Sequence, residues 1–305
     1  MPFKASDGGW KLPLIIDANI HLLQGEPAET DYVSTAPDRE DDFAHPLSNF
    51  VCKRASWPEI IPYLHAINSD FYNMCASLGK IDCFHYYLRD KGTDLGRFIS
   101  TELEYLFTLL KSHFDLLQKV VARIWSHVEL TDKSLEKRNL PERFRNMILT
   151  NDRIMSASEI AEKFHIPESL ATFYSGLGQF YQMVKKTRDG IIHHGKEPGL
   201  VFVLPEGFAV SRDDELFRQF DIWREDGIVN KHLCSIRPLL YHLIDRTMDA
   251  FQEYTLVITR AIMFPHDMIP GRTVFTRGFH LKYLFRLHST INANVWWPAI
   301  EWGER

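Results

Sequence analysis

The chain has 305 residues, 45% of them hydrophobic and 25% charged. These are values of a folded globular protein long enough to bury a sizeable core, in one large domain or two modest ones. A formal net charge of -5 and a pI near 6.3 exclude a general basic field, so any nucleic-acid site has to be a local patch. Cys52, Cys75, Cys83 and Cys234 show neither a Cys-x-x-Cys pair nor zinc spacing. They predict buried, reduced thiols rather than a disulfide framework or a zinc centre.

Residues 1–55 are rich in Pro, Gly, Asp and Glu and predict an irregular N-terminal arm, with Asp38-Arg39-Glu40-Asp41-Asp42 as a solvated acidic loop. No charged-then-apolar leader opens the chain and no apolar run approaches membrane-spanning length, so a cytoplasmic protein without membrane association is expected.

From Ser56-Trp57-Pro58-Glu59, which reads as a capping box, apolar residues from Ile60 to Leu78 recur at helical spacing. A shorter helix follows over 82–88. The strongest helical pattern runs from Asp94 to Val128, where Leu103, Leu106, Leu110, Phe114, Leu117, Val121 and Ile124 fall at three- and four-residue steps without a proline. Short helices follow near Pro141 and after a second capping box, Ser156-Ala157-Ser158-Glu159. One helix is expected from Glu168 to His194, stopped by Gly195 and Pro198. Leu200–Leu204 predicts a small β excursion near 200–210, and another long helical pattern covers 229–263. Residues 263–305, with Trp296, Trp297 and Trp302, read as an aromatic tail strapped onto the core. The expected architecture is all-α: an arm over 1–55, an antiparallel helical bundle over 56–262 and the strapping tail over 263–305, together one compact unit.

The chemistry concentrates in Lys185-Lys186-Thr187-Arg188-Asp189-Gly190-Ile191-Ile192-His193-His194-Gly195-Lys196. A guanidinium that never loses its proton, an acid and two imidazoles there occupy the last turns of an amphipathic helix. Arg188-Asp189 followed by His193 after four residues, or His194 after five, resembles the signature of the HEPN superfamily. That resemblance implies a helical bundle acting as a metal-independent endoribonuclease, with no cofactor, in a toxin or anti-phage defence setting. It also implies a homodimer that joins two such helices across one cleft, RNA as substrate and an antitoxin or inhibitor protein as partner. His193 or His194 would move the proton, Arg188 would steady the phosphate charge and Asp189 would orient the histidine. Lys185, Lys186 and Lys196 form the local basic patch expected to meet an RNA backbone. The alternative is a catalytically silent HEPN-like module that binds a nucleotide or a protein through dimerisation. In an ideal helix, residues five apart diverge by about 140°, so a single helix aims Arg188 and His193 poorly at one phosphate.

Overall fold

The computed structural model describes residues 2–5, 7–25, 29–54, 58–88, 94–194, 199–264, 266–293 and 295–297. In chain order the first elements are β1 (Phe3–Lys4), β2 (Trp10–Ile16), β3 (Asn19–Gln24), β4 (Thr30–Ser34), α1 (Pro46–Arg54), α2 (Ile61–Cys83), α3 (Leu95–His127) and β5 (Glu129–Leu130). They continue with α4 (Phe144–Ile148), β6 (Leu149–Thr150), β7 (Arg153–Ile154), α5 (Ala157–Phe164), α6 (Glu168–Gly176), α7 (Gly178–His194), β8 (Val201–Leu204) and β9 (Gly207–Ser211). The last are β10 (Ile228–Val229), β11 (Leu233–Ser235), α8 (Ile236–Ala261), β12 (Ile262–Met263), β13 (Thr273–Arg277) and α9 (Leu281–Ala293).

The all-α expectation is overturned. The residues expected to form an irregular arm supply four strands of a five-stranded mixed sheet ordered β13-β4-β1-β2-β3. Its remaining strand, β13, comes from the stretch expected to be a strapping tail and pairs antiparallel with β4 from Thr273↔Ser34 to Arg277↔Thr30. That partner lies more than two hundred residues away, so no local periodicity announces it. The excursion near 200–210 is likewise half of a second sheet, ordered β10-β11-β9-β8.

Two further expectations change. The helix expected over 168–194 breaks between α6 and α7 at Gly176-Leu177-Gly178. Glycine is a poor helix former, and a Cβ on Gly178 would sit 2.4 Å from Ile154 Cγ2. The long pattern beginning near 229 opens with β10 and β11, and the helix proper starts at Ile236. Other local readings hold. α3 spans 33 residues, roughly 50 Å at about 1.5 Å per residue, and Ser156 closes a capping box with Glu159 in both directions. The first capping box, at Ser56-Trp57, lies outside the described residues.

The chain divides into two compact units, one of Met1–Tyr72, His113–Phe180 and Met248–Leu281, the other of Asn73–Ser112, Tyr181–Thr247 and Lys282–Arg305.

In the first unit the acidic run is solvated only in part: Arg39 and Glu40 are exposed, whereas Asp38 and Asp42 are drawn inward. Asp42 is buried and takes two hydrogen bonds from Arg277, Nε to Oδ1 at 3.0 Å and a terminal nitrogen to Oδ2 at 2.9 Å. The same guanidinium reaches Asp38 Oδ2 at 2.7 Å and lies over the rings of Trp10 and Tyr32 at 4.7 and 5.3 Å. Tyr32 donates its hydroxyl to Asp42 at 2.5 Å, and the amide of Arg39 caps the same carboxylate at 2.9 Å. Burial alone would raise the Asp42 pKa. Arg277, Tyr32 and the Arg39 amide reverse that and hold it below the usual carboxylate range.

His45 sits among the rings of Phe71 and Phe251 at 6.0 and 5.2 Å, fully buried, with Nε2 unpaired among the described residues. Burial, aided by nearby His113, pushes its pKa down to about 3.

In the second unit Arg237 plays the part of Arg277. It is 3% exposed, donates to Asp82 Oδ1 at 2.9 Å and to Thr290 Oγ1 at 3.0 Å, and lies 4.8 Å over Trp297. Trp297 donates to Asp82 at 3.2 Å and stacks on His85 at 4.4 Å. Gly207 lets it approach: its φ is +148°, and a Cβ there would lie 2.5 Å from the indole. Cys75 and Cys234 are buried free thiols and Cys52 is partly buried, whereas Cys83 is exposed, against expectation.

Two outcomes follow from these buried groups. Arg277→Leu leaves Asp42 without its cation and Asp38 with Lys4 alone, and should cost about 3–5 kcal/mol of stability in urea unfolding at neutral pH. His45 is neutral in the fold and has an ordinary pKa of 6.5 when unfolded. Its contribution is therefore complete above pH 6.5 and lost as pH falls toward 3, because the unfolded chain takes up the proton first. Between pH 7 and 4.5 the wild type should lose about 2–3 kcal/mol more than His45→Leu. Equal losses in urea titrations at the two pH values would contradict this account.

Candidate functional site

α7 begins as an amphipathic helix whose Tyr181 and Val184 are buried at 1% and 0% exposure. Arg188 stands seven residues after the first and four after the second, on the same stripe. A long charged residue has replaced the next core position, and its side chain is only 25% exposed. Its Nε is buried and has no partner among the described residues. One terminal nitrogen donates to Asp189 Oδ1 at 3.2 Å, and Lys185 Nζ stands 3.1 Å from Asp189 Oδ2. Burial would raise the Asp189 pKa, but Lys185 and Arg188 reverse this and hold it low.

The structure therefore brings together Lys185, Arg188 and Asp189. It does not bring His193 to them. His193 is exposed, without a hydrogen-bond partner among the described residues, on the side of the helix about 140° from Arg188. Asp189 is committed to Lys185 and Arg188, and it is not hydrogen-bonded to His193. His194 is the last helical residue, but its side chain is outside the described set. Lys196 lies outside it altogether.

Lys186 faces elsewhere. With Met183, Thr187, Gly190 and Ile191 it forms one wall of a cavity of about 420 Å³, whose other wall is the turn from Asp214 to Gln219. That turn is held by amides of Phe217 and Arg218 donating to the Asp214 carbonyl at 3.0 and 2.9 Å, and by the wholly buried Phe217 ring. Lys186 and Arg218 reach the cavity from opposite walls, and neither has an acidic partner among the described residues. Asp214 and Glu215 line it too, so the cavity carries both signs of charge.

No protein-family model, curated protein or solved structure matches the chain. Among the described residues no helix is long and apolar enough to cross a membrane, and no cluster of three His, Cys, Asp or Glu residues is placed to hold a metal ion.

Arg218 and Gln219 were missed by the sequence reading. Nothing local marks them, since the facing turn is some thirty residues further along the chain. Several other cations are engaged elsewhere. In the first unit Arg153 pairs with Glu159 at 2.6 Å, Arg145 with Asp152 at 3.0 Å, and Lys137 donates to the Trp125 carbonyl at 2.7 Å, near the end of α3. Trp297 of the tail is partly buried and is occupied by His85 and Arg237.

The Lys185–Asp189–Arg188 group is partly solvated, so it contributes little to folding. Asp189→Ala should change stability by less than about 1 kcal/mol in chemical denaturation. A loss several times larger would mean that the acid is structural rather than available for chemistry.

Proposed function

We propose that the closing turns of α7 form a phosphodiester-cleaving site of the HEPN type, which acts on RNA without a metal and is completed by the same helix of a second copy. One observation carries the reading: an exposed imidazole, His193, follows a largely buried guanidinium, Arg188, within the same two helical turns, and neither His193 nor the Arg188 Nε has a hydrogen-bond partner among the described residues. Arg188 is held in place by Asp189 and keeps a donor free for a phosphate oxygen.

In this reading His193 takes the proton from an RNA 2′-hydroxyl. The 2′-oxygen then attacks the neighbouring phosphorus, the bond to the 5′-oxygen breaks, and the leaving oxygen takes a proton from a second acid. The products are a 2′,3′-cyclic phosphate and a free 5′-hydroxyl. Arg188 steadies the charge that develops on the non-bridging oxygens. The angular divergence of Arg188 and His193 on one helix is the reason a second copy is required, since Arg188 of one and His193 of the other can then face one phosphate. Lys186 and Arg218, without an ion-pair partner among the described residues, supply positive charge for the flanking backbone. An effector of toxin or defence type, restrained by an inhibitor protein, is the setting this chemistry suits.

A second reading, a silent module that binds through the same surface, is favoured by the Asp189 contact, which already satisfies part of the Arg188 charge.

The deciding experiment incubates the purified protein with mixed RNA in EDTA beside His193→Ala and Arg188→Ala, each checked for folding by circular dichroism. Wild-type cleavage that falls by roughly 10²–10⁴-fold in both variants supports the nuclease. Equal, negligible cleavage by all three sinks it and leaves the binding module.

A further inference from the structure

Independently of α7, the first unit carries a hairpin unlike the rest of its sheet. β2 and β3 pair from Lys11↔Gln24 to Ile16↔Asn19 around Asp17 and Ala18, whose φ values are +49° and +62°. Positive φ at both turn residues is the two-residue turn that matches strand twist. Every residue of β3 is exposed, and the apolar ones include Ile20 at 72%, Leu22 at 55% and Leu23 at 50%. Across the ladder Ile15 is 79% exposed and Ile16 49%. Ile15, Ile20 and Leu22 lie on one face, Ile16 and Leu23 on the other, so both faces of the blade are apolar.

β3 is also the edge of the sheet, with no described strand on its outer side. Proteins usually protect such an edge with lysine, proline or a bulge. From Leu12 to Gln24 the only charged residue is Asp17, at the turn. The one proline, Pro13, is on the inner strand opposite Leu22. With a two-residue turn closing at Ile16 and Asn19, the pairs 16/19, 14/21 and 12/23 exchange backbone hydrogen bonds, whereas 15/20 and 13/22 do not. Pro13 therefore loses no bond to β3. The N–H and C=O groups of Ile20, Leu22 and Gln24 point outward, away from β2.

We propose that β3 is a homodimerisation edge, on which a second copy of this chain adds its own β3 antiparallel. A two-fold axis perpendicular to the sheet and passing at Leu22 sets Leu22 opposite Leu22 of the second copy and Ile20 opposite Gln24. Every outward amide and carbonyl of the strand then finds a partner. Self-pairing opposes no like charges, because β3 has none. The exposed apolar side chains of the hairpin, among them Ile20 at 72% and Leu22 at 55%, flank the pairing line and are covered in part by the added strand, toward the roughly 800 Å² per partner of a standard stable interface. A lipid surface is the poorer occupant: the acidic Asp17 stands at the tip, where insertion would begin, and no cation flanks it in Leu12–Gln24.

The test measures mass by light scattering and sedimentation from about 1 to 100 µM, with amide hydrogen exchange on the same samples. The wild type should be at least a dimer, and larger where α7 also joins copies, with its Ile20, Leu22 and Gln24 amides protected. Ile20→Lys and Leu22→Lys alter exposed side chains, so they keep the fold. Each should weaken the dimer at least roughly ten-fold and release that protection. A wild type that is monomeric throughout overturns the proposal. So does a dimer that both lysines leave intact, with those three amides exchanging freely. So too does a protein that stays monomeric in solution and binds zwitterionic phospholipid vesicles through the hairpin.

Discussion

Burying a guanidinium is the constraint on which each unit depends. An arginine taken out of water costs several kcal/mol unless carboxylates and aromatic faces replace its hydration. In the first unit Arg277 is the last residue of β13, and its compensation comes from Asp38, Asp42, Trp10 and Tyr32. That demand joins the C-terminal strand to the N-terminal ones, since the same carboxylate ties the Tyr32 hydroxyl of β4 to the Arg39 amide. In the second unit Arg237 makes the equivalent demand on Asp82 of α2, Thr290 of α9 and Trp297. In both cases the partners are far apart in sequence, so the charge can be satisfied only when distant segments have come together.

The same logic separates the structural cations from the candidate site. Arg277 and Arg237 stand at 1% and 3% exposure, Arg277 bonded to two carboxylates and Arg237 to Asp82 and Thr290, with only the Arg237 Nε left without a partner among the described residues. Arg188 differs in its exposure: a quarter exposed, it has one acid beside it and, like Arg237, a buried Nε left over. A group poised between core and solvent can still accept an anion, whereas a fully compensated one cannot without breaking its own network. Lys186 and Arg218, on facing walls of a cavity that Asp214 and Glu215 also line, form no ion pair among the described residues.

Legibility followed the range of the interactions. The stripe of α3, the Ser156–Glu159 cap and the helical run ending at His194 were all readable, because their hydrogen bonds and side-chain contacts lie within four residues of each other. The strands of the first sheet were not. β4 carries only Tyr32 and Val33 as large apolar residues, too weak a period-two signal against the surrounding Pro, Gly and acids. The acidic run was misread for a related reason: Asp42 resembles its solvated neighbours until Arg277 is beside it. At α7 the sequence placed Arg188, Asp189 and the histidines on one helix end and anticipated their divergence. It gave no hint of Arg218, whereas the Lys185–Asp189 pairing that takes the acid from His193 is an i,i+4 contact that its spacing allowed.

By itself, then, the sequence determined where the long helices run, where an arginine, an acid and two histidines gather, and that no overall basic field exists. Only the tertiary structure decided that the chain is mixed α and β, that residues 1–55 are sheet, that α6 and α7 are separate helices, and which cations are spent in the core. Helices satisfy their backbone locally and so write their pattern into neighbouring residues. Strand pairing, charge compensation and cavities depend on residues that meet only after folding, and one sequence read alone does not order those meetings.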